Sequence, residues 1–339
     1  MKLGNFSLAI GMALVAEQGI ASDQLSESLQ KQLATSADTV TVGELKAYCE
    51  HLTENKSESA TGMVQAETDI VPTESALTRR FISEKRADDQ PFTLIPYKPN
   101  YLIISNNLVS PHEQFFEAAY PDNNINLQPW ETKFQISLKV PIARNLFKGN
   151  GDLYVAYTNR SFWQQFNKAG SSPFRDSNHE PEAWISFVSD SEILGFHNSM
   201  IRTGLVHQSN GQAGSLSRSW NRIYADFIFE KGNWYFSVKP WWRIPEKRSN
   251  DDNPDITDYL GHFEFSGLYK KGNQTFDFMI RNNLDFSQNY GAIQLGWSFP
   301  ISKKVRGYVQ WFNGYGESLI DYNAYSNSIG IGIQLSDWL

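Results

Sequence analysis

The chain has 339 residues, 40% of them hydrophobic and 14% aromatic, which is ample for a folded body and excludes a wholly disordered protein. A formal charge of −7, with no run or stripe of Arg and Lys, excludes the phosphate footprint of a nucleic-acid binder. Cys49 is the single cysteine, so an intramolecular disulfide and a thiolate zinc cluster are excluded too.

At the N-terminus, MKLGNFSLAIGMALVAEQGIAS places Lys2 before an apolar stretch from Phe6 to Ala16, then small residues at Gly19 and Ala21. That pattern predicts a secretory signal over residues 1–21. Residues 22–90 are polar, with one helical candidate at VGELKAYCEHL, and read as a loosely ordered periplasmic extension. From Pro91 the composition changes, and nearly all the Trp, Tyr and Phe follow. No segment holds the roughly 18 consecutive apolar residues that a spanning helix needs. Export then leaves the periplasm, the medium or an outer-membrane barrel.

Beyond Pro91 apolar and polar residues alternate. In TKFQISLKVPI, Phe134, Ile136, Leu138 and Val140 are apolar while Lys133, Gln135, Ser137 and Lys139 are polar. In NSIGIGIQLSDWL, Ile329, Ile331, Ile333 and Leu335 repeat the period of two. Such strands put one face in an apolar medium and the other against polar surroundings. Twelve segments qualify, near 100–107, 131–143, 151–164, 182–190, 195–208, 218–230, 233–244, 257–269, 273–286, 291–300, 303–314 and 325–337. Short connections at 148–151, 190–193, 230–233, 270–273 and 302–304 alternate with long polar ones. This predicts an all-β fold over 91–339, a 12-stranded antiparallel transmembrane β-barrel with short periplasmic turns and long extracellular loops. A soluble β-sandwich also alternates. Against it, the polar faces carry Arg202, Arg222, Asp226, His262, Glu264, Asp277 and Arg281, too many for the water face of a sandwich.

The stretch LVHQSNGQAGSLSRSWNRIYADFIF, 205–229, holds the chemistry. His207 and Ser209 share parity with Ile201 and Leu205, and Asn221 shares parity with Ile223, Phe227 and Phe229. In a hairpin all three polar side chains converge on the lipid-facing exterior at the long-loop rim. A serine hydroxyl becomes a useful nucleophile when an imidazole accepts its proton and a third group holds that imidazole. Asn supplies the third group without a charge, which suits a site facing hydrocarbon. Bare H-x-S spacing also fits a histidine that merely hydrogen-bonds in a loop. What favours catalysis is the conjunction of face, rim and third partner.

HQSNG and SRSWNR (207–211 and 217–222), with YTNRSFWQ (157–164) and SSPFRDSNHEPE (171–182), closely resemble the outer-membrane phospholipase A family; PFTLIPYKPNYLI and IGIGIQLSDWL support the likeness. The resemblance runs from Pro91 to Leu339. It implies a calcium-dependent hydrolase of sn-1 and sn-2 acyl esters in phospholipids and lysophospholipids, active as a homodimer in the outer membrane. By position it makes Ser209 the nucleophile, His207 the general base and then acid, and Asn221 the orienting residue. It places the oxyanion hole at the amide of Asn210 or Gly211. Calcium falls to Ser217 and the carbonyl of Gln212, with Ser171 from the facing subunit, and Asn159 becomes a dimer contact. Gln208 and Gln212 depart from the Asp and Arg common in relatives.

Elsewhere, NDDNPDITD (250–258) lacks the glycine and distal glutamate of an EF-hand and reads as a solvated loop. His179 in SNHEPE has no second histidine at helical spacing and does not read as a zinc site. Two other functions use the same barrel plan. One is a passive porin-like or structural barrel, disfavoured by a narrow lumen crowded with Arg, Glu and Asp. The other is an outer-membrane protease or acyltransferase.

Overall fold

A computed structural model describes residues 75–88, 93–114, 126–168, 170–302 and 304–336. The signal expected over 1–21, the helical candidate VGELKAYCEHL and the rest of the chain up to residue 74 lie outside the described residues. The end of the expected extension does not: Ala76–Asp88 is a helix, α1. Its docking, described below, corrects the reading of this stretch as loosely ordered.

The strands are β1 (Ile95–Pro96), β2 (Asn100–Asn107), β3 (Trp130–Ala143), β4 (Asp152–Trp163), β5 (Phe174–Ile193), β6 (Phe196–Ser209), β7 (Ser219–Lys231), β8 (Trp234–Arg243), β9 (Phe263–Lys271), β10 (Gln274–Asn282), β11 (Gly291–Pro300), β12 (Arg306–Tyr315) and β13 (Tyr325–Ser336). From β2 onward each strand pairs antiparallel with the next, and β13 pairs back to β2, so the sheet closes. The two-residue β1 pairs with β3 at Ile95↔Lys139 and Pro96↔Leu138, beside the stretch of β3 that β2 occupies. It extends the β2 stave across a break at Tyr97–Pro99. The barrel therefore has twelve staves, as the alternation predicts.

Burial runs opposite to that of a soluble protein. In β3, Lys133 and Ser137 are 2% and 0% exposed while Ile136 between them is 52% exposed; in β13, Ile331 is 63% exposed. An apolar outer belt over a polar interior is the pattern of a barrel in a bilayer. No described helix is long and apolar enough to cross a membrane.

Three expected boundaries move. β5 begins at Phe174, not 182, and its hairpin turn is Leu194–Gly195 rather than 190–193. Both turn residues have positive φ, 54° and 76°, the twist that tight two-residue hairpins require. The stretch 257–269 opens with a short helix, Ile256–Leu260, before β9.

Both ends of the lumen are filled. At the short-turn end, Ala76 and Leu77 of α1 pack with Met200, Ile228, Tyr235 and Leu268. Glu84 of α1 meets Arg80 and Lys139, each at 2.7 Å. Burial pushes the Glu84 carboxyl up, but the two cations outweigh it and hold it below the usual carboxylate range. At the long-loop end, the segment between β12 and β13 folds inward. Asp176 Oδ2 accepts the amides of Leu319 and Ile320, both at 3.0 Å, and Leu319 joins a cluster with Trp220, Trp241 and Leu260. Arg175 bridges Glu131 (2.9 Å) and Asp321 (2.8 Å), and Lys133 meets Glu317 at 2.7 Å. Between the two plugs lies a polar cavity of about 210 Å³, lined by residues including Lys98, Glu180, Arg222, Glu264 and Arg281. A lumen filled at both ends does not offer the open passage that a porin needs.

The buried charges of Arg175, Glu131 and Asp321 are tolerated because they are paired, and stripping one partner leaves the others uncompensated. Arg175→Met leaves Glu131 and Asp321 without their cation and is expected to destabilise the barrel by about 3 to 5 kcal/mol. Urea unfolding followed by loss of heat-modifiable migration measures this; an unchanged midpoint contradicts it.

Candidate active site

β6 and β7 are consecutive and antiparallel, and their register sets His207 against Asn221 and Ser209 against Ser219. Both rows point outward, because Val206, Trp220 and Arg222 of the opposite parity are buried in the barrel. His207 Nδ1 lies 2.9 Å from Asn221 Oδ1. An amide oxygen only accepts, so Nδ1 carries the proton and Nε2 is left with a lone pair. This is the tautomer a general base needs. The Asn221 amide nitrogen in turn donates to Glu246 Oε1 at 3.2 Å, which fixes which end of the amide faces the imidazole.

The hairpin is held from the lumen side. Gln208 Oε1 accepts from Trp220 Nε1 and from Arg222, both at 2.9 Å, and the Arg222 guanidinium stacks 3.9 Å from the Trp220 ring centroid. Gln208 thus acts as an interior strut.

Of the two amides expected in the oxyanion hole, that of Asn210 donates to the Arg218 carbonyl at 3.0 Å. The Asn210 side chain also spans the loop, donating to Leu216 O at 2.8 Å and accepting from Arg218 N at 2.9 Å. Asn210 is the clasp of the loop after Ser209, which leaves the Gly211 amide. Gly211 stands at φ 65°, where a side chain is strained.

Residues 212–217 are exposed or half-buried apart from Leu216. Ser217 Oγ donates to Asp252 Oδ2 at 2.6 Å, and Asn253, fully buried, accepts from Ser219 N at 2.9 Å. Arg243 meets Asp251 at 2.6 Å. Tyr322 donates to Asp255, and burial together with this carboxylate pushes its phenol well above the ordinary range. The stretch 250–258 is therefore a docked brace beside the site, not the solvated loop its sequence suggests. Ser171 sits exposed at the same rim, at φ 58°, and its hydroxyl makes no hydrogen bond among the described residues. The structure does not bring it to Ser217 of its own chain.

Sequence reasoning missed three neighbours. His179 of β5 is paired with Ser209 and, on its other side, with Asn159. Its parity with Ala183, Ile185 and Phe187 could have revealed it. Asn159 Nδ2 lies 3.3 Å and Tyr157 Oη 2.6 Å from His179 Nδ1. Asp252 and Glu246 were also missed, since both reach the site from a separate loop.

Among the described residues no three His, Cys, Asp or Glu are grouped to hold a metal. The oxygens in the loop after Ser209 are hydroxyls, a carboxylate beside Ser217 and backbone carbonyls, a hard donor set.

The model of the family Phospholipase A1 matches residues 77–335, starting within α1 and so earlier than Pro91. Phospholipase A1 of Salmonella typhimurium is 39% identical over 249 residues, 74% of this chain and 83% of that protein. Phospholipase A1 of Escherichia coli K12 is 40% identical over the same shares. The solved outer membrane phospholipase A from E. coli aligns with a TM-score of 0.69 at 38% identity, covering 74% of this chain and 95% of that one. The Salmonella typhi outer membrane phospholipase dimer with bound calcium gives 0.69 at 38% identity, covering 76% and 97%. A closed twelve-stave barrel, a serine and histidine side by side on its outer face, and these matches across three quarters of the sequence lead to one conclusion: the chain belongs to the phospholipase A1 family.

Proposed function

We propose that this chain is a calcium-dependent outer-membrane phospholipase, hydrolysing acyl esters of phospholipids and lysophospholipids at the lipid-facing surface of its barrel. The observation that carries the reading is the outward row of Ser209, His207 and Asn221, with the imidazole held through Nδ1 at 2.9 Å. Ser209 attacks the ester carbonyl while His207 Nε2 takes its proton; His207 then returns that proton to the departing glycerol oxygen, and water repeats the cycle on the acyl-enzyme. Asn221 keeps the imidazole in the required tautomer, and the Gly211 amide faces the developing oxyanion.

Calcium fits the residues present. Hydroxyl, carbonyl and carboxylate oxygens without a thiolate or imidazole cluster suit a hard cation. Ser217 and the Gln212 carbonyl would hold it, with Asp252 beside Ser217 and Ser171 supplied by a second copy. Bound there, calcium stabilises negative charge developing at the ester. That the Ser171 hydroxyl makes no hydrogen bond among the described residues supports its use across a homodimer. The outer face around the site is apolar as well, with Leu205 55%, Ile136 52% and Tyr157 47% exposed. Asn159, on this face, is the proposed dimer contact.

Ser209→Ala is expected to abolish fatty-acid release from phospholipid micelles while heat-modifiable folding persists; retained release sinks the nucleophile assignment. Asn221→Ala frees the imidazole and should lower kcat by about 10- to 100-fold, measured by the same assay, and an unchanged kcat speaks against the orienting role. A strong chelator should stop turnover and reduce crosslinked dimer, and activity indifferent to chelation refutes the calcium assignment.

A further inference from the structure

We propose that His179 is a second oxyanion donor, offering its Nε2–H to the ester carbonyl oxygen as Ser209 attacks. This rests on the hydrolase reading above and names a residue that reading does not use.

Three observations converge on it. First, His179 is the cross-strand partner of Ser209, so their side chains stand on the same outward face, with Cβ atoms about 4.5 to 5.5 Å apart in such pairs. Secondly, its tautomer is set. Asn159 turns its amide oxygen to Ser161 Oγ (2.9 Å) and its NH2 to His179 Nδ1 (3.3 Å), and an NH2 group can only donate. Nδ1 is therefore an acceptor, the Tyr157 hydroxyl donates to it as well (2.6 Å), and the ring proton resides on Nε2. Thirdly, that edge lies beside Gly211. A Cβ built on Gly211 would lie 3.6 Å from both Nε2 and Cδ2 of His179, so the N–H edge borders the residue whose amide is left for the oxyanion.

The two imidazoles of the site are thus wired in opposite senses. His207 donates through Nδ1 and keeps a basic Nε2, whereas His179 accepts through Nδ1 and keeps an acidic Nε2–H. When Ser209 Oγ bonds to the carbonyl carbon, its proton passes to His207 and the C=O π pair moves onto oxygen. His179 and the Gly211 amide donate to that oxygen. On collapse the pair returns, the bond to the glycerol oxygen breaks, and His207 protonates the leaving group. His179 transfers no proton in either step. Its partners Tyr157 and Asn159 are positioning residues.

The test compares purified wild-type, Ser209→Ala, His179→Phe and His179→Gln proteins on phosphatidylcholine in detergent micelles with calcium. Heat-modifiable migration serves as the folding control. His179→Phe keeps an aromatic ring against Tyr157 but no N–H; kcat should fall about 100-fold. KM, and the Kd of a non-hydrolysable ether phospholipid, should change by less than about threefold. His179→Gln, which returns an N–H, should recover about tenfold of the loss. Affinity for an alkyl trifluoromethyl ketone, which forms a tetrahedral oxyanion on Ser209, should fall in proportion to kcat/KM. If His179→Phe does not fold, the double variant Tyr157→Phe/Asn159→Leu releases the tautomer and should lower kcat about tenfold. A folded His179→Phe, or failing it the double variant, that retains wild-type kcat overturns the proposal. So does a loss of ether-lipid binding that matches the loss of kcat. A wild-type protein without turnover refutes the hydrolase reading and this proposal together, whereas an active wild type with an equally active His179→Phe refutes this proposal alone.

Discussion

A sheet whose outer face meets hydrocarbon cannot leave backbone N–H and C=O groups unpaired, and that single constraint organises this molecule. It forces β13 to return to β2 and close the cylinder. Closure makes parity absolute, because each residue of a stave faces either lipid or lumen. The lumen then collects the charged side chains, and Arg175 is accommodated there by pairing with Glu131 and Asp321. The exterior collects Ile, Leu and Phe, and among them, by the same parity, His207, Ser209 and Asn221. Under the proposed mechanism these polar groups sit on an apolar surface because the scissile ester sits there too.

Precision at that surface comes from behind. Gln208 and Arg222, one residue from His207 and Asn221, lock the strands from inside through Trp220. Asn210 ties the loop after Ser209, and the brace at 250–258 ties that loop to the rim through Asn253 and Asp252. The outward groups therefore need few contacts of their own and stay open to a lipid.

What the sequence reveals and conceals follows the range of the interactions. Alternation in β3 and β13 is visible because its period is two residues, and the face of the H-x-S pair follows from the same parity. The first half of β5 is hidden, since its inner residues Arg175, Asp176, Asn178 and Glu180 are polar while Ser177, His179 and Pro181 outside are not an apolar row. α1 is hidden because the charge that receives Glu84 belongs to Lys139, 55 residues on. The loop 250–258 looks solvated because its partners Ser217, Arg243 and Tyr322 come from three other segments. His179 escapes for the same reason: its meaning is cross-strand.

The row Asn159, His179, Ser209, Ser219 crosses four neighbouring staves at one height, and His207 with Asn221 forms the adjoining rung. Sliding any one stave by a single residue would turn its member of the row into the lumen, with little change in secondary structure or in barrel size. Turnover is therefore a reporter of strand alignment. A population that has inserted and closed but paired out of step would look folded by circular dichroism and be silent towards lipid, so specific activity per closed barrel measures the fidelity of assembly.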